Sequence, residues 1–479
     1  MNLFRKKSIH ARFESDEESS GKKHSLNALQ LTSLGIGAII GAGIFVITGK
    51  AAAEFAGPAL VLSFLIAAFI CILTALCYAE LSSMIPITGG VYSYTYVAMG
   101  EFPAWSVGWA ATAQALSCCA TVASGFSSYF VNILKDFGIF LPQAITTAPL
   151  GYSAEHGIYL TGAILNFPAL LLTGGLGILI AIGVKSAARF NNFLVVLKLA
   201  VIFLFIGLGF FFIDTSNWHP FIPENTGIFG QYGWSGVIRG AGLVFFAFLG
   251  FETVATLSQE AKDVQKDVPR GIFGSLSIST FAYILTSLVL TGVVSYTALN
   301  VADPMAVALD ALGPKFFFLA SLIKIAILAG LASVVLIMSL AQTRVFLAIA
   351  KDGLLPKLFT RINKKTQSPV ANSLITAAIP MVAATLFPVE ILAQLVSFAA
   401  LFMFAFASAT VLFLRYTHPH HDRPFKIPLG SFIPATALLS CVALMCFIPL
   451  FTWFQMAIWM AIGTLIYWKY GYRSSKLRS

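Results

Sequence analysis

Residues 35–45 read Gly35-Ile36-Gly37-Ala38-Ile39-Ile40-Gly41-Ala42-Gly43-Ile44-Phe45, inside an apolar run from about residue 29 to residue 55. That run is long enough to cross a bilayer, which takes about 20 apolar residues. Glycine is permissive in φ and ψ, so a helix can unwind at Gly41-Ala42-Gly43. Unwinding frees backbone N–H and C=O groups, which lipid tolerates only where they line a cavity or a ligand. The half-helix after the break turns the positive end of its dipole towards an anion such as a carboxylate, and the carbonyls before it suit an ammonium. The same small residues also fit close helix–helix packing, so this stretch alone does not choose between a site and a packing seam.

A similar interruption lies further on, at Phe245-Phe246-Ala247-Phe248-Leu249-Gly250-Phe251-Glu252. It falls in the sixth apolar run, five runs after the first, and so points the opposite way. Broken helices at matching places in two inverted halves are the sequence pointer to a transporter's binding site.

The whole chain agrees with a membrane setting. Of its 479 residues, 58% are hydrophobic and 10% are charged, and its mean hydropathy is +0.85. These values exclude a disordered chain, a coiled coil, a secreted disulfide scaffold and an ordinary soluble enzyme, because a soluble fold needs polar residues to cover its outside. Twelve apolar runs are read, at about 29–55, 58–84, 102–131, 159–183, 188–212, 236–260, 270–295, 316–344, 371–387, 390–414, 431–450 and 453–470. All six cysteines lie within such runs, with no disulfide or metal-ligand spacing. The net charge of +10 is a matter of topology and not of nucleic acid. With the N-terminus inside, 24 of the 30 Lys and Arg fall in cytoplasmic segments and four outside. The positive-inside rule then puts both termini in the cytoplasm and the protein in the cytoplasmic membrane. Residues 1–25, polar and of mixed charge, read as a disordered cytoplasmic tail.

Few charges remain inside the runs. Glu252 follows the second break. A carboxylate there is costly and functional by default, either taking up a proton or locking the unwound segment. Lys198 lies mid-run in Phe193-Leu-Val-Val-Leu-Lys198. Stripped of water, it can release and regain a proton during a cycle, or occupy the place another transporter gives to Na⁺. Snorkelling towards the cytoplasm is the plainer alternative. Lys324 is nearer its run's outer end, where snorkelling is expected. Glu80 reads as a loop anchor, and Gln114 as facing either a cavity or a neighbouring helix. His418-Pro-His420-His421-Asp422 reads as a solvated loop and not as a metal site. No P-loop, HExxH or GxSxG is present, so no enzyme and no cofactor is expected.

The residues resemble a known family. Gly35–Phe45 (GIGAIIGAGIF), Tyr78–Tyr94 (YAELSSMIPITGGVYSY), Ser186–Lys198 (SAARFNNFLVVLK), Phe245–Gly271 (FFAFLGFETVATLSQEAKDVQKDVPRG), Gln342–Pro356 (QTRVFLAIAKDGLLP) and Arg423–Pro428 (RPFKIP) follow one another. In that order they resemble the amino acid–polyamine–organocation transporters, most nearly the bacterial cationic amino acid branch. The resemblance implies an all-α integral membrane protein of the LeuT type. Its twelve helices would form five-helix repeats at 26–212 and 213–414, with two last helices and a cytoplasmic C-terminus at 415–479. It implies a substrate α-carboxylate on the amides of Ala42, Gly43 and Ile44 beside Gly41, and an α-ammonium on the carbonyls of Ile39, Phe246 and Leu249 beside Gly250. Phe246 would be an aromatic gate, and Lys198 the lysine of proton-coupled members. The implied partners are an L-amino acid, protons and lipid, with no nucleic acid, and the sequence leaves the oligomeric state open, a monomer included. One position departs. Where the cationic branch has a glutamate, this chain has Gln114, which removes the partner for a basic side chain and favours neutral or broad L-amino acid substrates. The expectation is proton–amino acid symport with alternating access. A proton-independent exchanger and a non-transporting amino acid sensor stand as alternatives.

Overall fold

The computed structural model of the chain describes residues 5–6, 26–85, 89–153, 157–182, 187–256, 261–361, 363 and 369–477. Apart from Arg5 and Lys6, the expected tail at 1–25 lies outside them.

Helix α1 (Ala28–Ile39) starts at a reciprocal cap: the Asn27 side chain accepts from the Gln30 amide at 2.9 Å, and the Gln30 side chain accepts from the Asn27 amide at 3.0 Å. The chain then breaks and continues through a wide helical turn at Gly43–Ile47, an α-helical turn at Thr48–Ala51 and a second wide turn at Ala52–Ala56. There follow α2 (Leu60–Met84), the short buried α3 (Gly90–Ala98) and α4 (Glu101–Asp136). Gly89 at φ 109° and Gly100 at φ 104° turn the chain at the two ends of α3. Then come α5 (Phe167–Ile182), α6 (Ala187–Phe210), α7 (Gly233–Val244), α8 (Phe251–Thr256), α9 (Val264–Val293), α10 (Pro304–Asp310) and α11 (Phe317–Lys351). Last are α12 (Val370–Leu386), α13 (Val389–Thr417), α14 (Phe432–Cys446) and α15 (Leu450–Ile466). Helix α4 runs through the middle and packs on both α11 and α13.

Seven helical stretches are long and apolar enough to cross a membrane, and α5, α12, α14 and residues Leu194–Phe210 of α6 form shorter apolar helices. Leu65, Phe69 and Ile72 form an exposed stripe on α2, and Phe454, Ile458, Ile462 and Leu465 form one on α15. Water would not tolerate such stripes, and lipid does. The chain is a multi-pass, predominantly helical membrane protein.

The all-α expectation needs one correction. Strands β1 (Leu150–Ser153) and β2 (Gly157–Leu160) form an antiparallel hairpin with Leu150 opposite Leu160. The fourth apolar run therefore does not open in a helix at 159. Tyr159 and Leu160 belong to β2, and α5 starts only at Phe167, where the Asn166 side chain accepts from the Ala169 amide at 3.3 Å and Pro168 fits the first turn. Hydropathy cannot separate a short apolar strand from the start of a helix.

Candidate functional site

Both suspected breaks exist. Helix α1 ends at Ile39, and Ile40 is extended (φ −74°, ψ 108°). The Gly41 carbonyl then accepts from the amides of Ile44 and Phe45, both at 3.3 Å, the long end for such bonds. At the second break, α7 tightens into one turn at Phe245–Phe248, Leu249 is extended (φ −64°, ψ 139°), and Gly250 takes φ +122° before α8 begins.

The breaks lie against each other. A Cβ on Gly43 would overlap the backbone of Ala247, and one on Gly250 would sit 2.5 Å from the Ala38 carbonyl carbon. These two glycines are thus required by close approach, the second also by its positive φ. The Tyr283 hydroxyl from α9 sits 2.8 Å from the Ala247 carbonyl and 3.0 Å from the Ile39 carbonyl, and shares its proton between the two breaks. Around the first break, the Thr48 hydroxyl donates to the Gly43 carbonyl at 3.0 Å and the Tyr129 hydroxyl to the Phe45 carbonyl at 2.7 Å. Freed carbonyls are thereby supplied by side chains instead of water.

The other sequence-selected residues surround this crossing. Ile39, Ala42, Ile44, Phe246 and Leu249 are all buried. Glu252 accepts the Gly250 amide at 2.8 Å on one carboxylate oxygen and the Gln114 side-chain amide at 3.3 Å on the other. It therefore holds the second break to α4. Lys198 does not snorkel. It is 2% exposed, its Nζ donates to the Gly37 carbonyl at 3.2 Å, and a Cβ on Gly330 of α11 would lie 3.2 Å from its Cγ. This is the one hydrogen bond it makes among the described residues. The lysine thus ties α6 to α1 one turn before the first break and packs on α11.

Other charges came out differently from the sequence reading. Lys324 is fully buried and bridges Asp136 at 2.9 Å and Asp310 at 2.5 Å, so it pairs instead of snorkelling. Lys50 is buried and ion-paired with Glu390 of α13. Glu80 is the loop anchor expected. It accepts from two of the three guanidinium nitrogens of Arg415, Nε at 3.1 Å and Nη2 at 2.5 Å, and from the Ile427 amide (2.9 Å), with the Arg423 Nε 3.4 Å away. The residues missed by sequence are Tyr283, Tyr129 and Thr48, ordinary members of apolar runs. Among the described residues, no cluster of three His, Cys, Asp or Glu could hold a metal.

Comparison with known proteins fits this geometry. The amino acid permease family profile matches residues 26–467. The chain belongs to the amino acid permease family. It is thereby a member of the amino acid–polyamine–organocation superfamily, a family of transporters and not of enzymes. Among its relatives, the methylthioribose transporter of Bacillus subtilis is 39% identical over 476 residues, covering 99% of each chain. The branched-chain amino acid permease BcaP of the same organism is 36% identical over 477 residues, again 99% of each. The chloroplastic cationic amino acid transporter 9 of Arabidopsis thaliana is 38% identical over 341 residues, covering 71% of this chain and 57% of the relative.

Proposed function

We propose that the chain is a proton-coupled symporter of neutral L-amino acids, with branched-chain amino acids as the leading class. The observation that carries this is the face-to-face meeting of two interrupted helices, whose carbonyls and amides converge at Gly43–Ala247 and Ala38–Gly250. In this reading the substrate carboxylate takes the amides of Ala42, Gly43 and Ile44 beside Gly41. The ammonium takes the carbonyls of Ile39, Phe246 and Leu249. Phe246 closes over the site, Gly250 gives the second break its turn, and Glu252 with Gln114 holds that break to α4. The neutral Gln114 leaves no acid for a basic side chain, which agrees with the branched-chain permease among the relatives.

The layout would be twelve spans, with repeats at 26–212 and 213–414, the last two helices at 415–479 and both termini in the cytoplasm. Lys198 carries the proton. Protonated, it holds the Gly37 carbonyl and braces α1 against α11. Neutral, it loosens that brace and lets the inner side open.

A thio-sugar substrate is the second reading, favoured by the methylthioribose transporter among the relatives. Ligand binding stabilises by mass action, so a thermal-shift panel of the twenty L-amino acids and methylthioribose on purified protein separates the two. Stabilisation by leucine, isoleucine and valine is expected. A response to methylthioribose alone, or to arginine and lysine alone, refutes the neutral amino acid assignment.

A further inference from the structure

Residues 467–477 follow α15 and pack back on α3, on the start of α4 and on the turn after α11. Glu101, the first residue of α4, is 1% exposed and accepts three hydroxyls: Tyr96 of α3 at 2.9 Å, Tyr467 at 2.8 Å, and Ser475. Asp352, just after α11, accepts the Tyr92 hydroxyl at 2.7 Å, and its backbone carbonyl accepts the Lys476 amide at 3.1 Å. A Cβ on Gly353 would overlap the Ser474 carbonyl, so the segment and the turn lie backbone against backbone. Ser475 is buried between the exposed Ser474 and Lys476, which makes it the inward-facing residue of this stretch. The Arg5 guanidinium donates to the Leu477 carbonyl at 2.8 Å and ties the other end of the chain to the same place.

All nine residues of α3 are buried, and the helix works with two faces. Tyr92 and Tyr96, four residues apart, share the face that meets Asp352 and Glu101. Tyr94, midway between them, points the other way. Its hydroxyl donates to the Ala255 carbonyl of α8 at 3.4 Å, and the neighbouring Thr95 meets Thr410 of α13 at 3.4 Å. Helix α3 therefore stands between the C-terminal segment and the short helix that leaves the second break. A buried carboxylate that loses a donor is left with an uncompensated desolvation cost, and a second carboxylate beside it adds repulsion. We propose that residues 467–477 form a latch, docked by Ser475 on Glu101, which holds α3 against α8 and keeps the inner side shut. Undocked, it frees α3 and lets α8 swing during the cycle.

The inference rests on the alternating-access reading above, and its readout needs no substrate. Ala255, fully buried at the inner end of α8, is replaced by cysteine in the full chain. Labelling by a bulky maleimide is timed on purified protein, with the chain lacking that cysteine as the blank. Ser475→Asp sets a second carboxylate against Glu101 and is expected to speed labelling at least about tenfold, the loss of a hydrogen bond to a charged group. Ser475→Ala removes the donor without repulsion and raises the rate by less. Adding Glu101→Gln to Ser475→Asp restores an amide–carboxylate bond and slows labelling again. Thermal unfolding verifies that each variant is folded, and Ser475→Ala decides alone if Ser475→Asp does not fold. Labelling at the parent rate in the folded Ser475 variants overturns the proposal. So does fast labelling that Glu101→Gln does not slow, which marks general loosening. Leucine uptake by the wild type is the separate check: its absence refutes the permease reading, while the labelling rates still report on the latch.

Discussion

Replacing Gly250 by alanine strikes the point where the two breaks meet. Its φ of +122° is a conformation that L side chains rarely adopt, and such backbone strain costs about 1–3 kcal/mol. The added Cβ would lie 2.5 Å from the Ala38 carbonyl carbon and 2.8 Å from the Ala38 carbonyl oxygen. Backbone cannot rotate out of the way as a flexible side chain does, so overpacking adds about 1–3 kcal/mol. Together, about 2–6 kcal/mol is a penalty of at least thirtyfold or so on any state in which the breaks touch. Gly207→Ala on α6 is the control. Nothing lies within 4 Å of its would-be Cβ, so it is neutral or up to about 1 kcal/mol more stable. The assay pairs thermal unfolding in detergent with amino acid uptake in proteoliposomes. Gly250→Ala is expected to unfold at a lower temperature and to lose most uptake, whereas Gly207→Ala keeps both. A Gly250→Ala protein with wild-type unfolding and wild-type uptake would refute the closeness of the two breaks.

Three further outcomes follow from the same geometry. Tyr283→Phe removes the hydroxyl shared by the Ile39 and Ala247 carbonyls, so stability falls by about 1–3 kcal/mol, and chemical denaturation should register it. Glu80→Ala leaves the Arg415 guanidinium uncompensated in a buried place. That costs about 3–5 kcal/mol, and size-exclusion chromatography should show little folded protein, with Arg415→Met in the Glu80→Ala background restoring part of it. Gln114→Glu places a second carboxylate against Glu252. The pair should favour a cationic ligand, so thermal shifts with arginine and lysine are expected to appear while those with leucine shrink.

Much of this was legible in the sequence because lipid makes certain residues expensive. Glu252 and Lys198 stood out since charges inside apolar runs are costly, and Gly41 to Gly43, compatible with a packing seam when taken alone, gained weight from the matching break before Glu252. The structure brings Glu252 to Gln114 and Lys198 to Gly37. Tyr283 was not legible. A tyrosine in an apolar run carries no cost that shows in sequence, and its role depends on which two carbonyls the fold brings to it. Lys324 was misread, and the burial of Lys50 passed unnoticed, for a related reason. Their partners Glu390, Asp136 and Asp310 lie at segment ends, the first two far away in sequence, where acids look solvated. The hairpin at Leu150–Leu160 was hidden because Gly-Ile-Tyr-Leu is as hydrophobic as the start of a helix. The buried α3 was passed over because nine residues are too few to register as a span.

The central claim is that Lys198 couples a proton to amino acid movement through the paired breaks. The direct measurement is accumulation of radiolabelled leucine in proteoliposomes under an imposed pH gradient, acid outside, for the wild type and Lys198→Ala, with counterflow at equal pH measured alongside. The wild type should concentrate leucine and lose that ability when the gradient is collapsed, while Lys198→Ala still exchanges leucine but no longer concentrates it. Gradient-driven accumulation by Lys198→Ala equal to wild type, or wild-type counterflow with no response to the gradient, contradicts the account.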